Sequence, residues 1–290
     1  MAGLRYECAV KVHRLARHLR WRSRRWGTPA GKGVLATSHP VAEHSSVLMR
    51  RLQGVDVELQ RNKVGNLRLA IGELDGRLIR PGGSLSFWRC IGNPSRRRGS
   101  RTGLVLSYGR VESDIGGGLC QLSNLLHWLV LHTPLEVVEH HHHGFDVFPD
   151  AGREVPFGTG ATVFYNYVDL VVRNPTQACF RLELWLDQER LNGRISSDRP
   201  DQGGWSVVED GQRFLRVGDR VHRENWIYRV RGPERSLLAH NLAPVLYEVD
   251  PALIVPGGHP TTAESSSQAG PGVSTDGVDP PPHHPFRRVP

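Results

Sequence analysis

Residues 115–132 read IGGGLCQLSNLLHWLVLH, so that three consecutive glycines run into Cys120 and Cys120 into an apolar segment. A thiol placed there could carry acyl chemistry. Glycines ahead of a helix allow positive φ and a close approach of backbone to a ligand. The first helical turn offers unpaired N–H groups and a partial positive charge, both of which favour an anion. Such a setting, with helpful neighbours, lowers a cysteine pKa from about 8.5 to as little as about 3.5–7.5. The same N–H groups, around Gly116, Gly117, Gly118 and Gln121, could hold an oxyanion. The plainer reading is that a small cysteine at a tight turn is packing material.

Helical spacing then says which side chains could help. Cys120, Ser123, Asn124 and His127 fall at i, i+3, i+4 and i+7, a polar lane beside the apolar stripe Leu119, Leu122, Leu126 and Leu129. A polar lane on a core helix has to face partners or a cleft. His127 stands two turns away, roughly 10 Å, too far to deprotonate Cys120, and reads as a satisfied core histidine. A base must come from EHHHHGFDVFPDAGREVPFGTG, residues 139–160. In a strand His141 and His143 would share a face opposite His140 and His142. A thiol, a histidine and an orienting carboxylate make the recurring arrangement for acyl transfer. That assigns Cys120 as nucleophile, His143 as base and Asp146 or Asp150 as its orienter, with Ser123 and Arg153 as ligand contacts. A zinc site built from alternate histidines is the rival reading; it ranks behind catalysis for His143, and His140 and His142 read as surface. No metal and no cofactor is expected.

The elements that would position these residues follow from periodicity. Residues 119–133 form a helix, and SSVLMRRLQGVDVELQRNKVGNLRLA (45–70) carries a helical pattern with Ser45 or Ser46 as its cap. RPGGSLSFWRCIG predicts a turn and a strand around Leu85, Phe87 and Ile91, and TGLVLSYGRVES a hairpin turning near Tyr108–Gly109. VVEHHHHGFDVFP, ATVFYNYVDLVVRN and ACFRLELWLD are strand-like. WSVVED, RFLRVGD, WIYRVR and VLYEVD signal short strands over 194–250. Helical and strand runs are separated rather than alternating, which predicts α+β. The central helix would pack on a mainly antiparallel sheet from 85–112 and 137–186, and the helix near 46–62 would cover another face. The expected organisation is a basic helix and linker (1–33), a core (34–194), a β-rich extension (195–254) and a Pro/Gly/Ser-rich disordered tail (255–290).

Charge adds a second theme. The chain of 290 residues carries a formal net charge of +8. Residues 1–25 hold Arg5, Lys11, Arg14, Arg17, Arg20, Arg22, Arg24 and Arg25 against the single acid Glu7, and SRRRGSR adds a second cluster. Such patches suit phosphates or anionic lipid, so 1–25 is a candidate for peripheral contact with an anionic membrane; nucleic acid ranks last. No apolar run reaches the roughly 18–20 residues that span a bilayer. The basic start lacks an apolar h-region, and the four cysteines are scattered without a CxxC pair. These features predict a cytoplasmic protein with free thiols.

GGSLSFWRCIG, DIGGGLCQLSNLLHWLVLHTPLEVVE and HGFDVFPDAGREVPFGTGATVFYNYVDLVVRN, in this order and spacing, resemble the VanW family, which takes its name from a gene of a vancomycin-resistance cluster. The resemblance is dense over residues 45–190. Some exported, multidomain members look like L,D-transpeptidases that use the cysteine of GGG-x-C-Q, and by that resemblance Cys120 is the acyl acceptor. His143 aligns with a histidine of the family usually followed by serine, where Gly144 stands here. His140 stands where an arginine typically follows the counterpart of Glu139. The expectation is a cytoplasmic, cysteine-dependent acyl-transfer or amide-bond enzyme acting on a peptide or cell-wall precursor. The alternative is a non-enzymatic binding module whose glycine-led helix start holds a carboxylate or phosphate.

Overall fold

The computed structural model describes residues 29–49, 56–107, 110–141, 144–147, 149, 154–165 and 168–255, together with Val12, Leu15, residues 17–19 and Trp21. In chain order the first half contains β1 (Gly31–Lys32), β2 (His39–Val47), α1 (Val57–Leu74), β3 (Arg77–Ile79), β4 (Ser84–Ser86) and α2 (Phe87–Ile91). There follow β5 (Thr102–Ser107), β6 (Arg110–Ile115), α3 (Leu119–Leu131), β7 (Glu136–Glu139) and β8 (Val171–Arg173). The second half is β9 (Phe180–Leu186), β10 (Arg190–Ser197), β11 (Ser206–Val217), β12 (Arg220–Arg231), β13 (Glu234–Pro244) and β14 (Ile254–Val255).

The fold is α+β. A five-stranded sheet runs β1-β3-β9-β10-β2, a three-stranded one β4-β8-β7, and β5 pairs β6 as a hairpin. Every pairing of these strands is antiparallel. The meander β11–β13 makes a further sheet, to which β14 adds in parallel beside β11. α3 supplies the centre of the core. Leu122, Leu125, Leu126 and Leu129 are buried with Leu67 and Leu74 of α1 and Leu182, Leu184 and Leu191 of the large sheet. Gly193 on β10 makes the close approach possible, because a Cβ there would press on Leu129, Leu125 and Leu184 at 2.7–3.1 Å. Pro134 stands three residues past the last residue of α3, where a helix cannot continue.

The predicted hairpin and central helix are where the sequence placed them. Four expectations are corrected. Residues 45–47 close β2 rather than opening a helix, and Asp56 caps α1 by accepting from the Glu58 N–H at 2.8 Å. The apolar–polar mix of 45–70 joins the end of a strand to an amphipathic helix, and periodicity does not mark the join. Phe87 and Ile91 lie on the short helix α2, started by a hydrogen bond from the Arg89 N–H to Ser86 Oγ. The strand through the histidines stops at Glu139. In the C-terminal half WSVVED and RFLRVGD fall on the single 12-residue strand β11 and WIYRVR on the 12-residue β12, whereas VLYEVD is not a strand and the 11-residue β13 carries no such signal. Among the described residues no helix is long and apolar enough to cross a membrane. The predicted tail beyond Val255 and most of residues 1–25 lie outside the described residues.

Candidate functional site

Cys120 is the second residue of α3, and the turn before it is held from two sides. Gly116 and Gly118 take φ of +80° and +95°, a region open to glycine without steric cost. Gly118 precedes the helix, and no side chain caps that start. Gly117 lies on the backbone of β5. A Cβ on Gly117 would collide with the Gly103 carbonyl, and one on Gly103 would come within 2.7 Å of the Gly117 carbonyl. Asn66 of α1, buried, clasps the junction. Its Nδ2 donates to the carbonyls of Arg101 and Gly117 at 2.9 Å each, and its Oδ1 accepts from the Arg101 N–H at 2.8 Å. Sequence reasoning missed Asn66. The available signal was an asparagine inside a helix, where its side chain ordinarily competes with the backbone.

The polar lane of α3 has a partner, the extended stretch 159–163. Ser123 Oγ donates to the Ala161 carbonyl at 2.6 Å, and Asn124 Oδ1 accepts from the Ala161 N–H at 2.6 Å. His127 Nδ1 lies 2.7 Å from the Thr159 carbonyl, and Cys120 Sγ donates to the Val163 carbonyl at 4.0 Å. Four side chains spread over two turns of α3 thus satisfy a backbone that would otherwise be buried without partners. Because it faces a carbonyl, His127 Nδ1 carries the proton. Burial pushes this imidazole down to about 4, so it is neutral near pH 7. It stacks on His140 at 4.0 Å, and His140 Nε2 meets the Gly160 carbonyl at 2.8 Å. His127 is a satisfied core histidine. His140, read from the sequence as surface, is half-buried because the strand ends just before it.

Cys120 is half-buried as a residue, with its thiol inside the lane. Burial pushes the thiol pKa up, so the thiol is protonated at rest. Gln121 turns away from the helix start, its Nε2 donating to Ser46 Oγ and the Val47 carbonyl at 2.9 Å each. Asp146 is buried where the core meets the meander. It accepts from Tyr247 Oη at 2.9 Å and pairs with Arg223 at 3.4 Å, while its backbone bonds Pro244 and Leu246. His143, Asp150 and Arg153 lie outside the described residues. Cys90, Cys120 and Cys179 are free thiols, and burial pushes Cys90 up to about 11. Among the described residues no group of three or more His, Cys, Asp or Glu side chains could hold a metal ion.

Beyond Val163 the same stretch runs into a buried acid pair. Phe164 and Val168 exchange backbone hydrogen bonds, and Trp88 Nε1 donates to the Val168 carbonyl at 2.9 Å. Asp169, fully buried, accepts from Ser86 Oγ at 2.5 Å and from the N–H groups of Trp88 and Leu170 at 3.0 and 2.9 Å. Its own N–H donates to Glu139 Oε1 at 3.2 Å, and Glu139 receives both prongs of Arg17 at 2.6 Å. Sequence reasoning missed this network too. An acid set inside the apolar run VFYNYVDLVV was its signal.

A family profile described as VanW like protein matches residues 62–196, which reach from α1 to β10 and contain the glycine turn, the lane and the acid pair. The vancomycin B-type resistance protein VanW of Enterococcus faecalis is 32% identical over 189 residues, 65% of this chain and 69% of that protein. YoaR, an uncharacterized protein of Bacillus subtilis, is 26% identical over 114 residues, 39% of this chain and 36% of that protein. No solved structure matches. The extent of the match to the Enterococcus protein, and the profile laid over the whole α3 site, establish that the chain belongs to the VanW family.

Proposed function

We propose that the protein is a cysteine-dependent acyl-transfer or amide-cleaving enzyme of the L,D-transpeptidase kind, acting on a peptidoglycan-related peptide. The observation that carries this reading is the place of Cys120, in the first turn of an uncapped helix after a glycine turn with two left-handed residues. The N–H groups of Gly116, Gly117 and Gln121, expected from the sequence to hold an oxyanion, are spent on the carbonyls of Arg101, Asp114 and Gly118, so the remaining N–H groups at the start of the helix are those that suit a developing oxyanion. Cys120 Sγ attacks a peptide carbonyl, the C–N bond breaks, and a thioester forms. The thiol proton passes through the base, assigned to His143, to the leaving amine. A second amine, or water, then takes the acyl group and returns the thiol. The substrate class is supported by the name of the Enterococcus relative, a vancomycin B-type resistance protein.

A second reading has its own observation. The thiol rests protonated on the Val163 carbonyl, as it would in a binding module whose helix start holds an anionic wall precursor without chemistry. Intact-mass analysis after incubation with a wall stem peptide separates the two. The enzyme reading expects an acyl adduct on Cys120 that is absent from a folded Cys120→Ser variant. Peptide binding without adduct, equal in both proteins, would replace it with the binding module.

A further inference from the structure

The helical residues before position 29 sit inside out for a helix whose only task is to cover a core. Arg17 is 5% exposed and forks onto Glu139 through two 2.6 Å bonds, while Trp21, one turn on, packs against the hydrophobic core. On the other side Val12, Leu15 and Leu19, at i, i+3 and i+7, stand 65%, 61% and 59% exposed. At 3.6 residues per turn Leu15 and Leu19 lie about 200° around the axis from Arg17. A covering helix buries its leucines and leaves its arginines in water. Here a buried ion pair holds the helix down and the apolar stripe faces outward. In sequence the same segment, residues 1–25, carries eight cations against Glu7, and only Arg17 of these is spent on Glu139 in the described contacts.

We infer that this outward face docks the protein on an anionic lipid surface. Val12, Leu15 and Leu19 enter the boundary between headgroups and acyl chains, and the basic residues of the segment meet lipid phosphates. Apolar side chains on one face of a strongly cationic helix are what interfacial binding requires, and an anionic leaflet draws basic segments within a Debye length. The charge selects lipid over a second copy of this chain, because the same segment of a copy carries the same excess of positive charge and repels it. The inference stands whether or not Cys120 is a nucleophile.

Co-sedimentation of the full chain with vesicles tests it. Vesicles of phosphatidylcholine mixed with phosphatidylglycerol should carry the protein down, phosphatidylcholine alone far less, and added salt should release it. The double variant Leu15→Gln/Leu19→Gln keeps every charge and replaces only exposed side chains, so its thermal unfolding should match the parent. Its binding should weaken by about tenfold or more, the scale set by withholding a leucine from an apolar phase. Absence of binding to the anionic vesicles would overturn the inference. So would binding indifferent to the leucines, which reduces the contact to charge, or self-association of the parent that the double variant abolishes.

Discussion

Asp169 and Glu139 are joined by one hydrogen bond, yet their surroundings push them apart. Burial drives the Asp169 carboxyl up to about 6 in spite of its bonds from Ser86 and Trp88. Burial would raise Glu139 as well, but His141 and Arg17 more than reverse it and hold this carboxyl at about 2. Of the two, Arg17 is the stronger partner: it makes two 2.6 Å bonds, whereas His141 at 3.7 Å lies beyond hydrogen-bond reach. The signs for stability are opposite. Glu139, depressed from 4.5, contributes stability above about 4.5 that is lost as pH falls toward 2. Asp169, raised from 3.8, binds its proton more tightly folded than unfolded, so stability is lost as pH rises from 3.8 to about 6. Asp169→Asn should abolish the second slope and leave the first. Urea unfolding at intervals between pH 3 and 7 measures it: the parent should lose about 3 kcal/mol across the upper window, an order-of-magnitude figure, and the variant little. An equal slope in both would move that titration to another group.

At the scale of elements, the glycine turn is where two explanations of one motif meet. GGGLC reads from sequence as a ligand-approach turn, and its residues are also the place where β5, α1 and α3 touch. Gly117→Ala separates them. The added Cβ would strike the Gly103 carbonyl, which is backbone and cannot swing aside. The variant should lose about 1–3 kcal/mol or more by overpacking, seen as a lower urea midpoint. Gly118→Ala would add to the cost of a left-handed alanine a clash with Cβ, Cγ and Cδ of Lys63, the root of a side chain whose ammonium is held on the Leu48 carbonyl. The central helix and the β5–β6 hairpin were legible because each follows a local rule: heptad-like leucines after glycines, and alternation around a polar turn. The start of α1 was not, because Ser45 and Ser46 are good caps that a neighbouring strand, β10, claims through backbone pairing. The polar lane was legible as a lane. Its partner was not, since 159–163 is recognised by its backbone and any sequence offers the same carbonyls. Asn66 and Asp169 reach across 35 and 83 residues to their bonds, a distance that periodicity cannot carry.

For the whole molecule, the stretch between β7 and β8 is held from both ends of the structure. α3 grips 159–163 through the lane, and the meander grips it further back. Asn225 Nδ2 on β12 donates to the Phe157 carbonyl at 2.9 Å, and Arg223, also on β12, pairs with Asp146 and stacks over Phe157 at 5.4 Å. Arg223 and Asp146 are both buried, 3% and 2% exposed. Removing one partner of such a pair costs about 3–5 kcal/mol, because the other charge stays buried. The meander is thus tied to the same stretch that seats Val163 on the thiol. Arg223→Met preserves bulk against Phe157 and Phe214 but withdraws the charge. It should lower stability by that order and speed alkylation of Cys120 near pH 8. Cys179, the residue before β9 and apart from the lane, should label at its parental rate. Peptide mapping after a timed pulse of iodoacetamide reads both thiols in one sample. Equal acceleration at the two sites would mean general loosening, whereas acceleration confined to Cys120 would make the β-rich extension a determinant of access to the thiol.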